Sequence, residues 1–456
     1  MQKKLFFRAA TIALLMVILL IPLEMIRGVV AERQGLQFQV ENTIATTLAG
    51  RQRLAGPVLV VPYIAPEVII STDDKGRETK KTLLHDRRAL FMAEQVTIDV
   101  NTGVESRYKG LYKALVFQSQ AKLQARFDIP ANLGLDLDPA TFTVGRPWLA
   151  LGLSDVRGLR GAPAMMWDQK DLLIANGTQL DNLGDGFNAA VPLPDLRKPS
   201  SHALDISINY AGTSALVFAP LGKITTVQMK ASWPHPNFGG RFLPQTKRID
   251  DNGFTARWEV SHLASKNAEL IRLESASKGR DASALETFDV GFIEPVNIYL
   301  QAERAVKYGI LFVALTFAAF FLFEVLKDLH IHPLQYGLVG LALALFFLLL
   351  VSLSEHIAFV YAYLAAGSAC VVLIGYYLAH VLGAWRRGLA FAAKLALLYA
   401  VLYGLLLSED NALMLGSLLL FGVLAAIMVL TRRVDWYGLG GKDKAVAPLN
   451  AAPDRA

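Results

Sequence analysis

The chain has 456 residues, a formal net charge of +6, 53% hydrophobic residues and only 18% charged ones, below the roughly 25% charged content of ordinary soluble domains. A chain wetted along its whole length is therefore excluded: the long uncharged runs lie in the first thirty residues and after Lys307, and the middle is polar and turn-rich. Lys and Arg form no basic arm or stripe, which argues against nucleic acid as a partner, and a single cysteine, Cys370, excludes an intrachain disulfide or a CxxC redox or zinc site.

At the N-terminus, Lys3, Lys4 and Arg8 precede an apolar run from about Ala9 to Leu23 and beyond. This is similar to a signal peptide, but residues 21–27 offer no small-x-small cleavage site, so an uncleaved anchor is expected, with a cleaved signal as the alternative. The next long segment has a dominant period of two. Ala121, Leu123, Ala125, Phe127 and Ile129 alternate with Lys122, Gln124, Arg126 and Asp128, and Leu204–Tyr210, Val227–Trp233 and Phe254–Val260 repeat the pattern. Each predicts a strand with one buried face, and without a βα alternation a mostly antiparallel sheet or sandwich is expected. Val58–Ile64 is an apolar run in which Pro62 predicts an edge strand at best. Residues 154–201 and 266–283 read as loops. Between strands, Trp233, Pro234, His235 and Pro236 form a rigid extended turn, which either presents aromatics to a partner or closes the core with them.

Five later segments, Tyr308–Leu326, Leu334–Leu353, Ile357–Leu378, Gly388–Leu407 and Ala412–Leu430, have the roughly 20 apolar residues needed to cross about 30 Å of hydrocarbon. The expected fold is an α+β membrane protein with six transmembrane helices, one N-terminal anchor plus a C-terminal bundle of five, and a large β-rich periplasmic domain. Lys3, Lys4, Arg8, Lys327, Arg386, Arg387, Arg432 and Arg433 fall on one side if the spans alternate, whereas the loops at Glu355 and at Glu409–Asp410 carry no Lys or Arg. Basic loops stay cytoplasmic, so both termini are expected there. The expected parts are 1–30 (cytoplasmic N-terminus and anchor), 31–304 (β-rich domain), 305–433 (bundle) and 434–456 (cytoplasmic tail).

No HExxH, GxSxG or post-strand GxGxxG motif is present, and Asp443 and Trp436 exclude a P-loop around Gly441 and Lys442. Neither an enzyme nor a cofactor or metal site is expected. Asp328, His330 and His332 could in principle share a metal but fit a polar loop. Glu355 and His356 form either an acid-base pair or proton relay, or a water-facing loop. Glu324 and Lys394 are candidate intramembrane charges, both near enough to the interface to snorkel. The third, fourth and sixth spans lack a charge at mid-depth, which offers little to an ion-coupled transporter.

Trp233-Pro234-His235-Pro236 with Phe242-Leu243-Pro244, Gly253-Phe254 with Ala256-Arg257-Trp258, Lys307-Tyr308 with Ala314-Leu315-Thr316-Phe317, His332-Pro333-Leu334-Gln335-Tyr336, Leu353-Ser354-Glu355-His356 and Asp435-Trp436-Tyr437 occur in one order. Together they resemble the CreD family of inner-membrane proteins of Gram-negative bacteria over almost the whole length. The resemblance implies a cytoplasmic-membrane protein tied to envelope integrity and to genes under the Cre two-component system; it implies no reaction and no catalytic or ligand residues. The expected function is an envelope-integrity or envelope-stress protein, held in the lipid bilayer, whose periplasmic domain binds or organises an envelope protein or glycan. A transporter or channel component working through Glu324 or Lys394 is the alternative, and a surface enzyme using His356 or His235 is a third.

Overall fold

A computed structural model describes residues 2–432, apart from 73–77, 139–140, 194, 275–284, 295–296, 328–330, 382 and 409–411. Asp328, His330 and the tail from 433 onward lie outside the described residues. The chain forms two compact units, Met1–Gly35 with Val296–Ala456, and Leu36–Pro295.

Helix α1 runs from Gln2 to Thr47, with Pro22 inside it. It continues well past the apolar stretch, where Ala31, Glu32, Arg33, Gln34, Leu36, Gln37, Gln39 and Glu41 favour helix even where they are polar. Pro22 falls in the apolar half, where neighbouring groups can take up the freed carbonyl.

The second unit contains β1 (Gln52–Thr72), β2 (Glu78–Met92), β3 (Gln95–Lys109), β4 (Tyr112–Ile129), β5 (Thr143–Val144), β6 (Trp148–Leu153), β7 (Ala164–Trp167) and β8 (Lys170–Asp171). It continues with β9 (Ile174–Asn176), β10 (Gly186–Ala190), β11 (Ser200–Thr213), β12 (Ala215–Ala219), β13 (Ile224–Ala231) and β14 (Pro236–Gly240). It closes with β15 (Thr246–Asp250), β16 (Gly253–Ser261), helix α2 (Asn267–Glu274) and β17 (Phe288–Phe292). One sheet has the order β14-β17-β12-β1-β6-β10-β9, with β2 and β5 also on β1; the other is β15-β16-β13-β3-β4-β11-β7-β8. All pairs are antiparallel except β1 with β12 and β3 with β13. The alternating segments are strands as expected, and their apolar faces meet in one core that joins Leu59, Val61, Phe218 and Phe288 of the first sheet to Phe117, Leu123, Ile206 and Trp258 of the second.

Three expectations are corrected. Residues 58–64 form no edge: β1 is central, flanked by β2, β5, β6 and β12. Pro62 is tolerated because β6 pairs β1 only as far as Val60 and β5 begins at Tyr63, so the missing N–H faces the gap between them; the Pro62 carbonyl accepts from Gly145 N at 2.8 Å. The run is apolar without alternation because both faces of β1 are covered. Leu59 and Val61 enter the main core, while Val58 and Val60 pack with Leu183, Leu221 and Ile271 of α2 in a second cluster. Residues 154–201 hold the short strands β7 to β10, and 266–283 begins with α2; strands of two to five residues are too short to establish a period.

The first unit contains α1 up to Gly35, α3 (Ile298–Lys327), α4 (Pro333–Ser354), α5 (Phe359–Val381), α6 (Trp385–Leu407) and α7 (Ala412–Thr431). Five of these, all but α7, are long and apolar enough to span a membrane, and α7 adds a shorter apolar segment, Met414–Val429. The six helices correspond to the six expected spans. Phe312, Phe346, Tyr363 and Tyr399, from α3 to α6, form an aromatic centre in edge-to-face contacts such as the 4.6 Å pair of Phe346 and Tyr399. Tyr363 donates its hydroxyl to the Tyr399 carbonyl at 2.8 Å, which satisfies a polar group that lipid could not.

Candidate functional site

Within the first unit the singled-out polar residues separate into two groups at opposite ends of α4. At the start of α4, His332 is the N-cap: its Nδ1 accepts from Leu334 N at 3.2 Å, and Gln335 returns a bond to the His332 N–H at 3.0 Å. That role uses one of the two ring nitrogens a metal could take. Glu324 is 4% exposed and accepts from the Tyr336 hydroxyl at 2.7 Å. It lines a cleft of about 360 Å³ with Phe7, Thr11, Ile12, His332 and Tyr336. Lys394 is exposed on α6, so the two candidate intramembrane charges occupy different settings.

At the other end of α4, Glu355 is the C-cap residue, and its side chain is 8% exposed. It sits 3.5 Å from Arg33 Nε and accepts from the Tyr299 hydroxyl at 3.3 Å. His356 is exposed and donates Nδ1–H to the Ser352 carbonyl at 3.1 Å. Adjacent in sequence, the two therefore face different partners. Neither Arg33 nor Tyr299 is marked by any sequence pattern; each reaches Glu355 only because α1, α3 and α4 are bundled.

In the β unit, Trp233 to Pro236 carry the chain from β13 in one sheet to β14 in the other, a corner that two prolines hold extended. Trp233 is half-buried against the core and donates Nε1–H to the Ile293 carbonyl at 2.9 Å, while the His235 carbonyl accepts from Ile293 N at 3.3 Å. Pro236 opens β14 opposite Phe292. The His235 ring is exposed, edge-on to Trp233 at 6.2 Å. Downstream, Phe238 packs edge-on against Phe254 and Trp258, and Phe242 against Phe288.

An open polar surface lies elsewhere in the β unit. The first sheet is covered on its outer side by α2 and its cluster, but the polar residues of the alternating strands in the second sheet face outward with no covering element among the described residues. Asn101 of β3 is in register with Gln120 of β4 and Lys230 of β13, and Asp99 with Lys122 and Gln228. Two adjoining clefts result. One of about 690 Å³ is lined by Asn101, Gln118, Gln120, Arg160, Asn209 and Lys230. The other, of about 440 Å³, shares Asn101, Gln120 and Lys230 and adds Asp99, Lys122, Gln228 and Arg257. Thr102, Ser119 and Tyr210 border the floor of the larger cleft but belong to the buried phase of their strands, with the Thr102 and Ser119 hydroxyls 2.9 Å apart; burial pushes the Tyr210 hydroxyl well above its ordinary value, so it remains a neutral phenol. The alternation that predicts these strands also places their polar side chains on one face, and the open face could have been read from it.

A family model described as "Inner membrane protein CreD" matches residues 4–437. Inner membrane protein CreD of Escherichia coli (strain K12) is 35% identical over 439 residues, 96% of this chain and 95% of that protein. Among solved structures, an M1 zinc metallopeptidase from Deinococcus radiodurans is similar at 13% identity and a TM-score of 0.22, covering 44% of this chain and 42% of that one. A substrate-bound mutant of the same peptidase gives 12% identity and a TM-score of 0.23 over the same shares. No activity follows from a likeness at that level.

Proposed function

Because the chain belongs to the CreD family of inner-membrane proteins, we propose that it serves the integrity of the cell envelope by holding an acidic glycan on the outer face of its second sheet, with the helical bundle as membrane anchor. In this reading both termini are cytoplasmic and the β unit is periplasmic. The observation that carries it is the pair of adjoining clefts. Their side-chain amides each offer donors and an acceptor to sugar hydroxyls, and Lys122, Lys230, Arg160 and Arg257 outnumber the single carboxylate, Asp99, as partners for carboxylate or phosphate groups. The clefts run across β13, β3 and β4 on the open face, so a polymer can cross several strands and add weak contacts along its length.

The test replaces Gln120 or Gln228 with a photo-crosslinking residue and illuminates intact cells. Adducts carrying saccharide are expected from both positions and not from exposed Arg107 near the β3–β4 turn. Protein adducts at the same positions would replace the glycan with a protein partner, and adducts no stronger than those of Arg107 would dismiss the face as a binding surface.

A further inference from the structure

At the rim of the second sheet, on the opposite face from the clefts, three side chains form a hydrogen-bonded chain: Ser200 Oγ lies 3.1 Å from His202 Nε2, and His202 Nδ1 lies 2.7 Å from Asp168 Oδ2. We propose that Ser200 is a nucleophile that cleaves carboxylic esters, with His202 as its general base and Asp168 as the residue that positions the base. The site is independent of the glycan reading, and either can fail without the other.

The elements account for the geometry. Ser200 and His202 are two residues apart on β11, so both project to one face. That face is the core side, since Leu204, Ile206 and Tyr210 follow in the same phase and are buried. Asp168 is brought up by the β7–β8 hairpin, because Trp167 is in register with Leu204. Asp168 and Gln169 have φ of 48° and 66°, as a tight two-residue connection between strands requires. Asp168 is also held at its other oxygen, which accepts from Ala203 N at 2.9 Å. Burial opposes its charge, but the bonds from His202 and Ala203 outweigh it and hold the carboxyl below its ordinary value. The imidazole is fixed from the side by Trp167, stacked at 4.9 Å and 21°, and its exposure is only 20%.

These contacts set the proton positions. A carboxylate only accepts, so Nδ1 carries the hydrogen; in the neutral ring Nε2 is then an acceptor, and the Ser200 hydroxyl must donate to it. This is the arrangement that lets a serine lose its proton as it attacks. Strained backbone adjoins the site as well. Ser200 is in register with Ile129, and soon afterwards Asn132 and Leu133 both adopt left-handed φ, 54° and 57°, with the Asn132 carbonyl oxygen of the side chain buried and without a hydrogen-bond partner. Consecutive non-glycine residues in that region are costly and concentrate at functional sites.

In the reaction, Ser200 Oγ forms a bond to the ester carbonyl carbon while its proton passes to Nε2. The carbon–oxygen bond to the leaving alcohol breaks, and that alcohol takes the proton from Nε2. Water then attacks the acyl-serine with Nε2 as base, releasing the carboxylic acid and restoring the Ser200 hydroxyl.

The test treats the full chain, in native membranes, with a fluorophosphonate probe and maps the modified peptide, alongside hydrolysis of p-nitrophenyl acetate. A phosphonyl adduct on Ser200 is expected, and none on neighbouring Ser201, which is committed to Asp128 at 2.6 Å. His202→Gln and Asp168→Asn should each slow labelling and hydrolysis about 100-fold or more, Asp168→Glu should recover part of the rate, and Ser201→Ala should change neither. Wild-type protein with no adduct on Ser200, or ester hydrolysis that survives in Ser200→Ala, would overturn the proposal; mapping the wild-type chain answers this even if a variant fails to fold.

Discussion

Trp233 illustrates how far residue-level reading reaches. Its place at the end of an alternating strand marks it as a ring that turns toward the core, but the bond from its indole to Ile293, 60 residues away, follows only from the pairing of β14 with β17. Trp233→Ala removes both ring packing and that bond and should cost about 3 kcal/mol, the low end for such truncations because the ring is half-buried. Trp233→Phe should cost about 1 kcal/mol, and chemical unfolding of the purified protein separates the two. The same limit applies to Glu324 with Tyr336, to Glu355 with Arg33, and to Asp168, 34 residues from His202; no local period joins such partners. Asp155 is another. Its carboxylate receives Arg157 Nη2 at 2.6 Å, chiefly for this reason its carboxyl lies below the ordinary value of 3.8, and Arg157 in turn reaches the Thr46 carbonyl at 2.8 Å. A depressed acid stabilises the fold above its unfolded value and ceases to do so as pH falls through its folded one. Asp155→Asn should therefore be less stable than wild type at neutral pH, with the difference closing below pH 3.8, as melting temperatures across an acid series would record.

Elements were legible where one face is wet. In β4, β11, β13 and β16 the alternation directly reports burial, and the long apolar helices report lipid. They were illegible where both faces are covered, as in β1, or where pairing alone sustains the strand, as in β2, whose Thr82–Met92 stretch shows no regular alternation of buried and exposed residues. Helix packing was also hidden, although its mechanism is simple. Gly375 and Ala379 on α5 face Gly388 and Ala392 on α6: a Cβ on Gly388 would lie 2.6 Å from the Ala379 backbone, and one on Gly375 would lie 2.8 Å from the Ala392 Cβ. Small residues four apart on both helices let their backbones approach closely, which drives association in lipid. Gly388→Ala should push the helices apart at a cost of about 1–3 kcal/mol. Gly404→Ala on the same helix meets nothing within 4 Å and should be neutral or slightly stabilising. Thermal melting in detergent, followed through the bundle's tyrosines, compares the two; equal melting points would remove the close α5–α6 approach from the account of bundle stability.

At the scale of the whole molecule the order of helices was readable from hydropathy, and their orientation rests on an argument that the bundle makes stronger. Arg33 of α1, Tyr299 of α3 and Glu355 at the end of α4 meet at one end of the first unit, while Phe7 and Thr11 of α1, Glu324 of α3 and Tyr336 of α4 meet at the other. The helices therefore alternate, and the chain leaves this unit past Arg33 and re-enters it before Tyr299, at a single end. The far end collects Lys3, Lys4, Arg8, Lys327, Arg386, Arg387 and Arg432, whereas the loop at the near end carries Glu355 and His356. Arg33, Arg304 and Lys307 lie toward the near end, flanking the long β-rich segment, where the charge rule is weak; Arg33 is matched there by Glu355 at 3.5 Å. Basic residues in short loops are retained in the cytoplasm, so the far end should be cytoplasmic. Alkaline phosphatase, which folds to an active enzyme only outside the cytoplasm, should be active when fused after Glu355 and inactive when fused after Arg387. Activity in the reverse order would turn the molecule over, place the β unit in the cytoplasm and remove an envelope glycan from its reach; activity at both sites would mean that α5 does not cross the membrane.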